Sequence, residues 1–213
     1  MFRNILFSII LVSSSFSIAA ISKKGYVPRR ETVIALLALS AQERQAALWQ
    51  QPESIYSSLI DVAFDKKEKM ANRWKALTAA AQFKKAGSVD DLMKAAQGEW
   101  FMKNAALVAL NEVHPEKAHD LAKILISDSA LVVRSAAVDV LSTKLDAETR
   151  GILFKELQQP YNFRNKQSLW IRSQILRKLA NNPLKAEKVI FEELKKEKDQ
   201  AIHFEADRAL RSF

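Results

Sequence analysis

The histidines of this chain could bind a metal ion only if their spacing brought them together. His114 and His119 stand five residues apart, close to Glu112, Glu116 and Asp120. Two histidines chelate one ion from a helix when they are three or four residues apart, because those spacings place both side chains on one face. We therefore interpret this group as a solvated helix terminus, with a weak surface metal site as the alternative.

Paired carboxylates are the second group that could do chemistry, as a general acid and base. The pairs are Asp90 with Asp91 and Glu192 with Glu193. Adjacent residues of a helix point about 100° apart, so neither pair converges on one substrate, and we interpret both as surface. The sequence also has no cysteine, no glycine-rich phosphate loop and no serine elbow. We predict a protein that is not an enzyme and has no cofactor, bound metal or small-molecule substrate.

The stretch from residue 157 to 186 combines positive charge with aromatic side chains. The chain has 33 Lys and Arg against 24 Asp and Glu, a formal net charge of +9, and this stretch contains no acidic residue. Cations beside aromatic rings suit the binding of anionic groups. We predict a partner-binding patch made of Tyr161, Phe163, Arg164, Lys166, Arg172 and Arg177. The alternative is a longer turn whose aromatic rings pack beneath it, and Trp170 is predicted to be a core residue.

The elements that must position these residues repeat along the chain. One phrase occurs five times, as NRWKALTAAAQF, WFMKNAALVALNEV, LVVRSAAVDVLSTKL, LWIRSQILRKLANNP and IHFEADRALRSF. Aligned with one another, these segments place one residue each in a single column, at steps of 30, 31, 38 and 31 residues: Arg73, Lys103, Arg134, Arg172 and His203. Self-similarity at such a period is typical of stacked structural repeats.

Helical segments of a second kind lie between these copies, so each repeat is predicted to be a helical hairpin. The 213 residues include only 4 Gly and 5 Pro, too few for the tight turns of a sheet protein. An earlier region, residues 31–51, is predicted to form another hairpin with a capping box at Ser40 and Glu43. The 38-residue step has a surplus that we expect to emerge as a loop near residues 158–167.

The third copy, DSALVVRSAAVDVL, resembles the HEAT-repeat family. In that family an Asp in the turn and an Arg in the second helix form a hydrogen-bonded ladder between neighbouring repeats, and Asp128 and Arg134 match those positions. The resemblance implies a structural repeat ladder made of Arg73, Lys103, Asp128, Arg134 and Arg172. In this ladder Arg134 is expected to bond the turn carbonyls and Asp128 between stacked repeats. Six residues before Arg73, Lys103 and Arg172 stand Lys67, Gln97 and Lys166, so the aspartate is missing from most copies.

The predicted fold is all-α, a right-handed α-solenoid of about five HEAT-like helical hairpins with an N-terminal capping hairpin. Residues 53–213 are expected to form the repeat domain, and residues 20–52 a linker with the capping helices. The last copy, residues 201–213, has an apolar stripe and a polar face, as the closed end of an array requires.

The N-terminal segment is predicted to be a signal peptide, residues 1–19. One positive charge precedes an apolar stretch diluted by serines, and small residues suit cleavage after Ala19 or Ala20. An uncleaved membrane anchor is the alternative, since residues 5–21 are nearly long enough to span a bilayer. Without cysteine or a glycosylation sequon, the chain is expected to be a periplasmic or secreted bacterial protein.

Two binding functions fit these features. The first is a monomeric scaffold in the bacterial envelope, with a repeat surface that docks another protein. The second is a binder of polyanions, such as anionic lipid headgroups, acidic glycans or nucleic acid, through the basic and aromatic residues between 157 and 186. Strong salt dependence would separate the second function from an apolar protein interface.

Overall fold

Residues 27–213 are described by a computed structural model. The predicted signal peptide, residues 1–19, and the first part of the predicted linker lie outside the described residues. Within residues 27–213, no helix is long and apolar enough to cross a membrane.

The described chain is mostly helical, which confirms the all-α class. A single two-stranded antiparallel ribbon is the one sheet of this part of the chain. In chain order the elements are α1 (Arg30–Ala38), α2 (Ala41–Leu48), α3 (Ile55–Phe64), α4 (Met70–Lys84), α5 (Val89–Ala95), α6 (Trp100–Val113), α7 (Pro115–Leu125), α8 (Leu131–Leu141), α9 (Ala147–Leu157), β1 (Phe163–Arg164), β2 (Gln167–Ser168), α10 (Trp170–Ala180), α11 (Lys188–Leu194) and α12 (Gln200–Leu210). Short 3₁₀ turns cover Lys85–Ser88, Pro160–Asn162 and Lys185–Glu187.

The helices pack in sequence order. Helices α4, α6, α8, α10 and α12, which we call the second helices, each contact the next one in the series. The first helices, α3, α5, α7, α9 and α11, each contact the second helix that follows them. One hairpin therefore has to bury its apolar face against its neighbours, because it has too little core of its own.

Small residues bring the second helices close together. Ala76, Ala79 and Ala80 of α4 are fully buried, as are Ala105 and Ala106 of α6. In α4, Ala79 and Ala80 follow Ala76 by three and four residues, so they line one face of that helix, where small side chains let a neighbouring backbone approach closely. Larger buried side chains such as those of Leu77, Leu107 and Ile175 fill the layers between the helices.

The helix starts follow local sequence signals in two of the predicted places. The Ser40 hydroxyl accepts a hydrogen bond from the Glu43 N–H, and the Glu43 carboxylate accepts one from the Ser40 N–H, which confirms the capping box. Pro115 is the first residue of α7, where its missing N–H removes nothing from the helix. These signals fix where each of the two helices begins.

The surplus residues of the long repeat step form an ordered hairpin rather than an irregular loop. After the 3₁₀ turn Pro160–Asn162, β1 and β2 pair with Phe163 opposite Ser168 and Arg164 opposite Gln167. Asn165 and Lys166 take up φ values of 51° and 65°, as a tight two-residue turn of this hand requires. Asparagine tolerates this left-handed backbone better than most residues, which explains why the chain can reverse here without glycine.

Candidate functional site

The column of basic residues is a set of ties between hairpins. Arg73 is buried on α4, and its Nε donates to the carbonyl oxygen of Ala63, 3.1 Å away. Its two terminal nitrogens form a bidentate pair with the Glu99 carboxylate, at 2.9 and 2.8 Å. The guanidinium also lies 5.0 Å from the centre of the Phe101 ring. Arg73 therefore joins its own hairpin to the turn before α6 in the next one.

Arg172 repeats this arrangement on α10. Its side chain is buried, with the residue 1% exposed, and its Nε donates to the carbonyl oxygen of Leu157 at 2.7 Å. The terminal nitrogens bind the Glu197 carboxylate at 2.9 and 2.8 Å, and the guanidinium lies 4.3 Å from the centre of the Phe163 ring. Because it is buried and fully engaged, Arg172 cannot belong to an exposed binding patch, and that part of the sequence prediction is wrong.

The third repeat departs from the pairing that the HEAT resemblance implied. The Asp128 carboxylate binds Lys103 of the preceding repeat, with Nζ 2.6 Å from Oδ2. Arg134 donates to the turn carbonyls of Asp128 and Ser129, at 2.7 and 3.1 Å, as the resemblance implied, so the departure concerns only its expected bond to the Asp128 side chain. The forward partner of Arg134 is an amide, since it donates to Asn162 Oδ1 at 3.1 Å.

The acidic residues of the ladder follow their basic partners by one repeat. Glu99 lies 26 residues after Arg73, Asp128 lies 25 after Lys103, and Glu197 lies 25 after Arg172. Neither Glu99 nor Glu197 stands six residues before an arginine of the column, so the sequence pattern did not predict either as a ladder residue. The signal that could have found Glu197 is its place six residues before His203, the last member of the column. The Nδ1 atom of His203 lies 2.7 Å from the Lys195 carbonyl oxygen.

The ion pairs shift the titration of the ladder carboxylates. Hydrogen bonds from Arg73 hold the pKa of Glu99 below its ordinary value. Burial acts to raise the pKa of Asp128, but the hydrogen bonds from Lys103 and from the Ala130 N–H outweigh it, so the pKa of Asp128 is also lowered. Lowered carboxylate pKa values add stability above the unfolded pKa that is lost as the pH falls through the folded pKa.

A buried carboxylate anchors the inserted hairpin. Glu156 accepts hydrogen bonds from Asn162 Nδ2 at 2.8 Å and from the Tyr161 hydroxyl at 2.9 Å. Its Oε1 lies 4.0 Å from Nε of Arg134, a buried donor with no hydrogen-bond partner among residues 27–213. Burial raises the pKa of Glu156, although these two hydrogen bonds and the Arg134 charge oppose the rise. The hairpin is thus held by a partly compensated buried charge.

Replacing Glu156 with Gln tests this anchor through the pH dependence of stability. A raised carboxylate pKa means that the folded state binds more protons than the unfolded state, so stability falls as the pH rises from the unfolded pKa to the folded one. We expect wild type to lose stability relative to E156Q as the pH rises above about 4.3, the ordinary glutamate pKa. Urea unfolding at several pH values measures this difference. A difference in free energy of unfolding between wild type and E156Q that stays constant with pH would contradict this expectation.

The remaining patch residues lie at the surface. Tyr161, Phe163, Arg164 and Lys166, which we call the hairpin patch, are exposed on the turn before α10, and Arg177 is exposed on α10 itself. Among the described residues, neither the two cations of the patch nor Arg177 forms an ion pair. Their charges therefore remain available to a partner.

A second exposed surface was not predicted from the sequence. Each second helix contains one residue of the column. Successive residues of an α-helix are rotated by 100°, so the residues three before, one after and two before the column residue point about 60°, 100° and 160° away from it. Six large apolar side chains at these positions are exposed, and we call them the second-helix face: Met70, Trp74, Trp100, Val132, Trp170 and Phe204. Phe101, Leu131 and Leu169 occupy such positions too but pack in or against the core. Trp170 is 52% exposed, so its prediction as a core residue is wrong.

The histidine and carboxylate groups do not assemble a reaction centre. His119 is buried, with Nε2 3.2 Å from the Thr149 hydroxyl oxygen, so the interpretation of this group as solvated is wrong for His119. Asp91 accepts a hydrogen bond from the Tyr56 hydroxyl and is partly buried. Across residues 27–213, no group of three or more His, Cys, Asp or Glu residues could hold a metal ion.

Comparison with known proteins adds information on the fold alone. No family model and no curated protein matches this chain. Among solved structures, the chain is similar to an engineered protein whose crystal structure was determined as a Northeast Structural Genomics Consortium target. The TM-score is 0.50 and the sequence identity 16%, over 87% of this chain and 96% of that one. At this identity the likeness shows a shared helical fold and nothing about function.

Proposed function

We propose that the chain is a non-enzymatic scaffold of the bacterial envelope that binds another protein through stacked HEAT-like repeats. In this proposal residues 53–213 form a right-handed α-solenoid and the preceding helices cap it. The sequence-order packing of the second helices supports it. So do the ladder ties, because Arg73, Lys103 and Arg172 each reach an acidic residue of the next repeat.

The observation that carries the binding function is the second-helix face. Single exposed apolar residues are ordinary on protein surfaces, but these six all lie within the first five residues of a second helix, so exposed apolar side chains recur along the stack. Aromatic side chains, Trp above all, are enriched where proteins bind one another. Export rests on the sequence alone, through the predicted signal peptide.

Polyanion binding is the second candidate function, and the hairpin patch favours it. Arg164 and Lys166 are exposed and form no ion pair within the described part of the chain. They are close in sequence to the exposed Tyr161 and Phe163, whose rings contact the buried Arg134 and Arg172. Such a group suits phosphate or carboxylate groups of a polyanion. Binding of this kind would weaken steeply with salt, because it depends on the release of counterions.

Affinity capture from an envelope extract of the source organism tests the proposed function. We compare wild type with R164E/K166E/R177E, leaving the buried Arg172 intact, and with the control K117E/K155E/K188E, which makes the same charge change on exposed residues of first helices. We expect wild type and control to retain one defined protein, and the R164E/K166E/R177E variant to retain at least tenfold less of it, because electrostatic complementarity is removed.

The contrary result is equally definite. If no protein is retained while wild type alone binds anionic vesicles or DNA at low salt, the chain is a polyanion binder and the scaffold function is wrong. Circular dichroism must first show equal helix content for all three proteins.

A further inference from the structure

The second-helix face is joined from one helix to the next at α6 and α8. Asn104 Nδ2 on α6 lies 3.4 Å from the backbone carbonyl oxygen of Val132 on α8, so the exposed edges of these two helices are in contact. Neighbouring helices pack about 8–10 Å apart, so the distance from α4 to α10 is about 24–30 Å. The face is therefore long, and only one helix wide.

Charge is distributed unevenly along the same edge. The turn before α4 carries Lys66, Lys67 and Lys69, all exposed, and the turn before α10 carries Arg164 and Lys166. None of these five cations forms an ion pair within the described residues. The turn before α4 also holds Asp65 and Glu68, but both pair with Arg30 of α1. The three lysines therefore leave the edge basic at α4, and it is basic again at α10.

The column positions between these two turns carry no free cation in the described chain. Lys103 on α6 is bound to Asp128, and Arg134 on α8 is buried. Glu99, at the start of α6, pairs with Arg73 but has a side chain that is 47% exposed. Asp139, seven residues after Val132 on α8, pairs with Lys178 but is 55% exposed. The middle of the face therefore combines apolar side chains with partly exposed acids.

This distribution disfavours the simpler occupants. A lipid surface or a nucleic acid presents negative charge all along its length and would set it against Glu99 and Asp139. A second copy in a two-fold dimer would bring basic positions against basic positions in a protein with a net charge of +9. A protein segment with acidic residues only at its ends would avoid both kinds of charge repulsion.

We propose that the second-helix face binds a segment of another protein that has an apolar middle and acidic residues at both ends, with the two acidic clusters about 24–30 Å apart. This inference rests on the proposed scaffold function and specifies the partner. An extended chain rises about 3.3 Å per residue, so roughly seven to nine residues would separate the acidic clusters. The apolar middle packs on Trp100 and Val132, and the acids meet the turns before α4 and α10.

Selection from a displayed library of random peptides, each about twice the length of that separation, tests this inference against the full chain. We expect the enriched peptides to carry aromatic or aliphatic residues in the middle and Asp or Glu toward both ends. The most enriched peptide is then synthesised, and its dissociation constant is measured by fluorescence anisotropy. W100A/V132A on the face is compared with I124A/V189A, which truncates two exposed apolar residues of first helices α7 and α11.

The expected outcome is a loss of at least about tenfold in affinity for W100A/V132A and less than about twofold for I124A/V189A, because apolar anchors at the centre of an interface dominate its affinity. K66E/K67E/K69E should weaken binding of the same peptide, and replacing the acids at one peptide end by Lys should restore it, because the charge match is rebuilt. That rescue would distinguish a charge contact from a folding defect.

Other outcomes overturn the inference and separate it from the proposed function. An enriched peptide whose affinity is unchanged by W100A/V132A would place binding elsewhere, so the inference fails while the scaffold function stands. A dimer in analytical ultracentrifugation that W100A/V132A dissociates would make a second copy the occupant. If no peptide is enriched and wild type binds phosphatidylglycerol vesicles only at low salt, both the inference and the scaffold function fail.

Discussion

R150M is expected to lower the free energy of unfolding by about 3–5 kcal/mol, because it leaves a buried carboxylate without its partner. Arg150 on α9 and Glu187, before α11, are both buried, and Nη2 of Arg150 lies 2.6 Å from Oε2 of Glu187. Nη2 also donates to the Asn182 carbonyl oxygen at 3.0 Å. The substitution therefore removes the tie between two hairpins and strands the Glu187 charge.

The double variant R150M/E187Q separates the effect of the unpaired Glu187 charge from the other causes of the stability loss in R150M. The amide oxygen that E187Q introduces can still accept the hydrogen bond that Glu187 takes from the Leu184 N–H at 2.9 Å. We expect this variant to regain about 1–2 kcal/mol relative to R150M, since a neutral buried group costs less than an ion. Urea unfolding followed by circular dichroism measures both values. Equal stabilities for R150M and R150M/E187Q would show that the stranded charge is not the cause.

R172A is expected to lower the free energy of unfolding by about 3 kcal/mol, which is less than the upper end of the range expected for R150M. The substitution removes the bidentate pair with Glu197, the hydrogen bond to the Leu157 carbonyl and the contact with Phe163. The Glu197 side chain is 34% exposed, so it can regain water when its partner is lost, and the desolvation penalty is smaller than for Glu187. The unsatisfied Leu157 carbonyl and the vacated space make up most of the loss.

E197Q is the matched control for R172A. It keeps the shape and one acceptor oxygen at the Arg172 site but removes the negative charge, so we expect a loss of about 1 kcal/mol. The same urea titrations apply. If E197Q costs as much as R172A, the ion pair dominates this rung of the ladder and the backbone contact contributes little.

The repeat period could be predicted from the sequence because it is written in residue types. A basic residue among Ala, Val and Leu marks most of the second helices, and burial of that column at Arg73, Arg134 and Arg172 follows from the apolar residues around it. The forward partners could not be predicted in the same way. They lie 25 or 26 residues away in turns of variable length, and a fixed offset of six residues finds Asp128 but not Glu99.

The exposure of aromatic residues was harder to predict. Trp170 directly precedes the fully buried Ile171, and rotating α10 by one residue step, about 100°, would exchange their places. Apolar residues on two faces of an amphipathic helix look alike in sequence until neighbouring helices select one face. For the same reason Arg172 was predicted to belong to an exposed patch. It is buried in the structure, where α10 packs against α12.

Differential hydrogen–deuterium exchange tests the central claim, that this chain is a binding protein and uses the second-helix face. Exchange is measured for the chain alone and with the envelope protein recovered by capture, and peptides from all the helices are followed together. We expect slower exchange in the first turns of α4, α6, α8 and α10 and in the hairpin at residues 163–168 on binding, and unchanged exchange in α7 and α11. Protection confined to α7, α9 and α11, with the second helices unchanged, would contradict this claim.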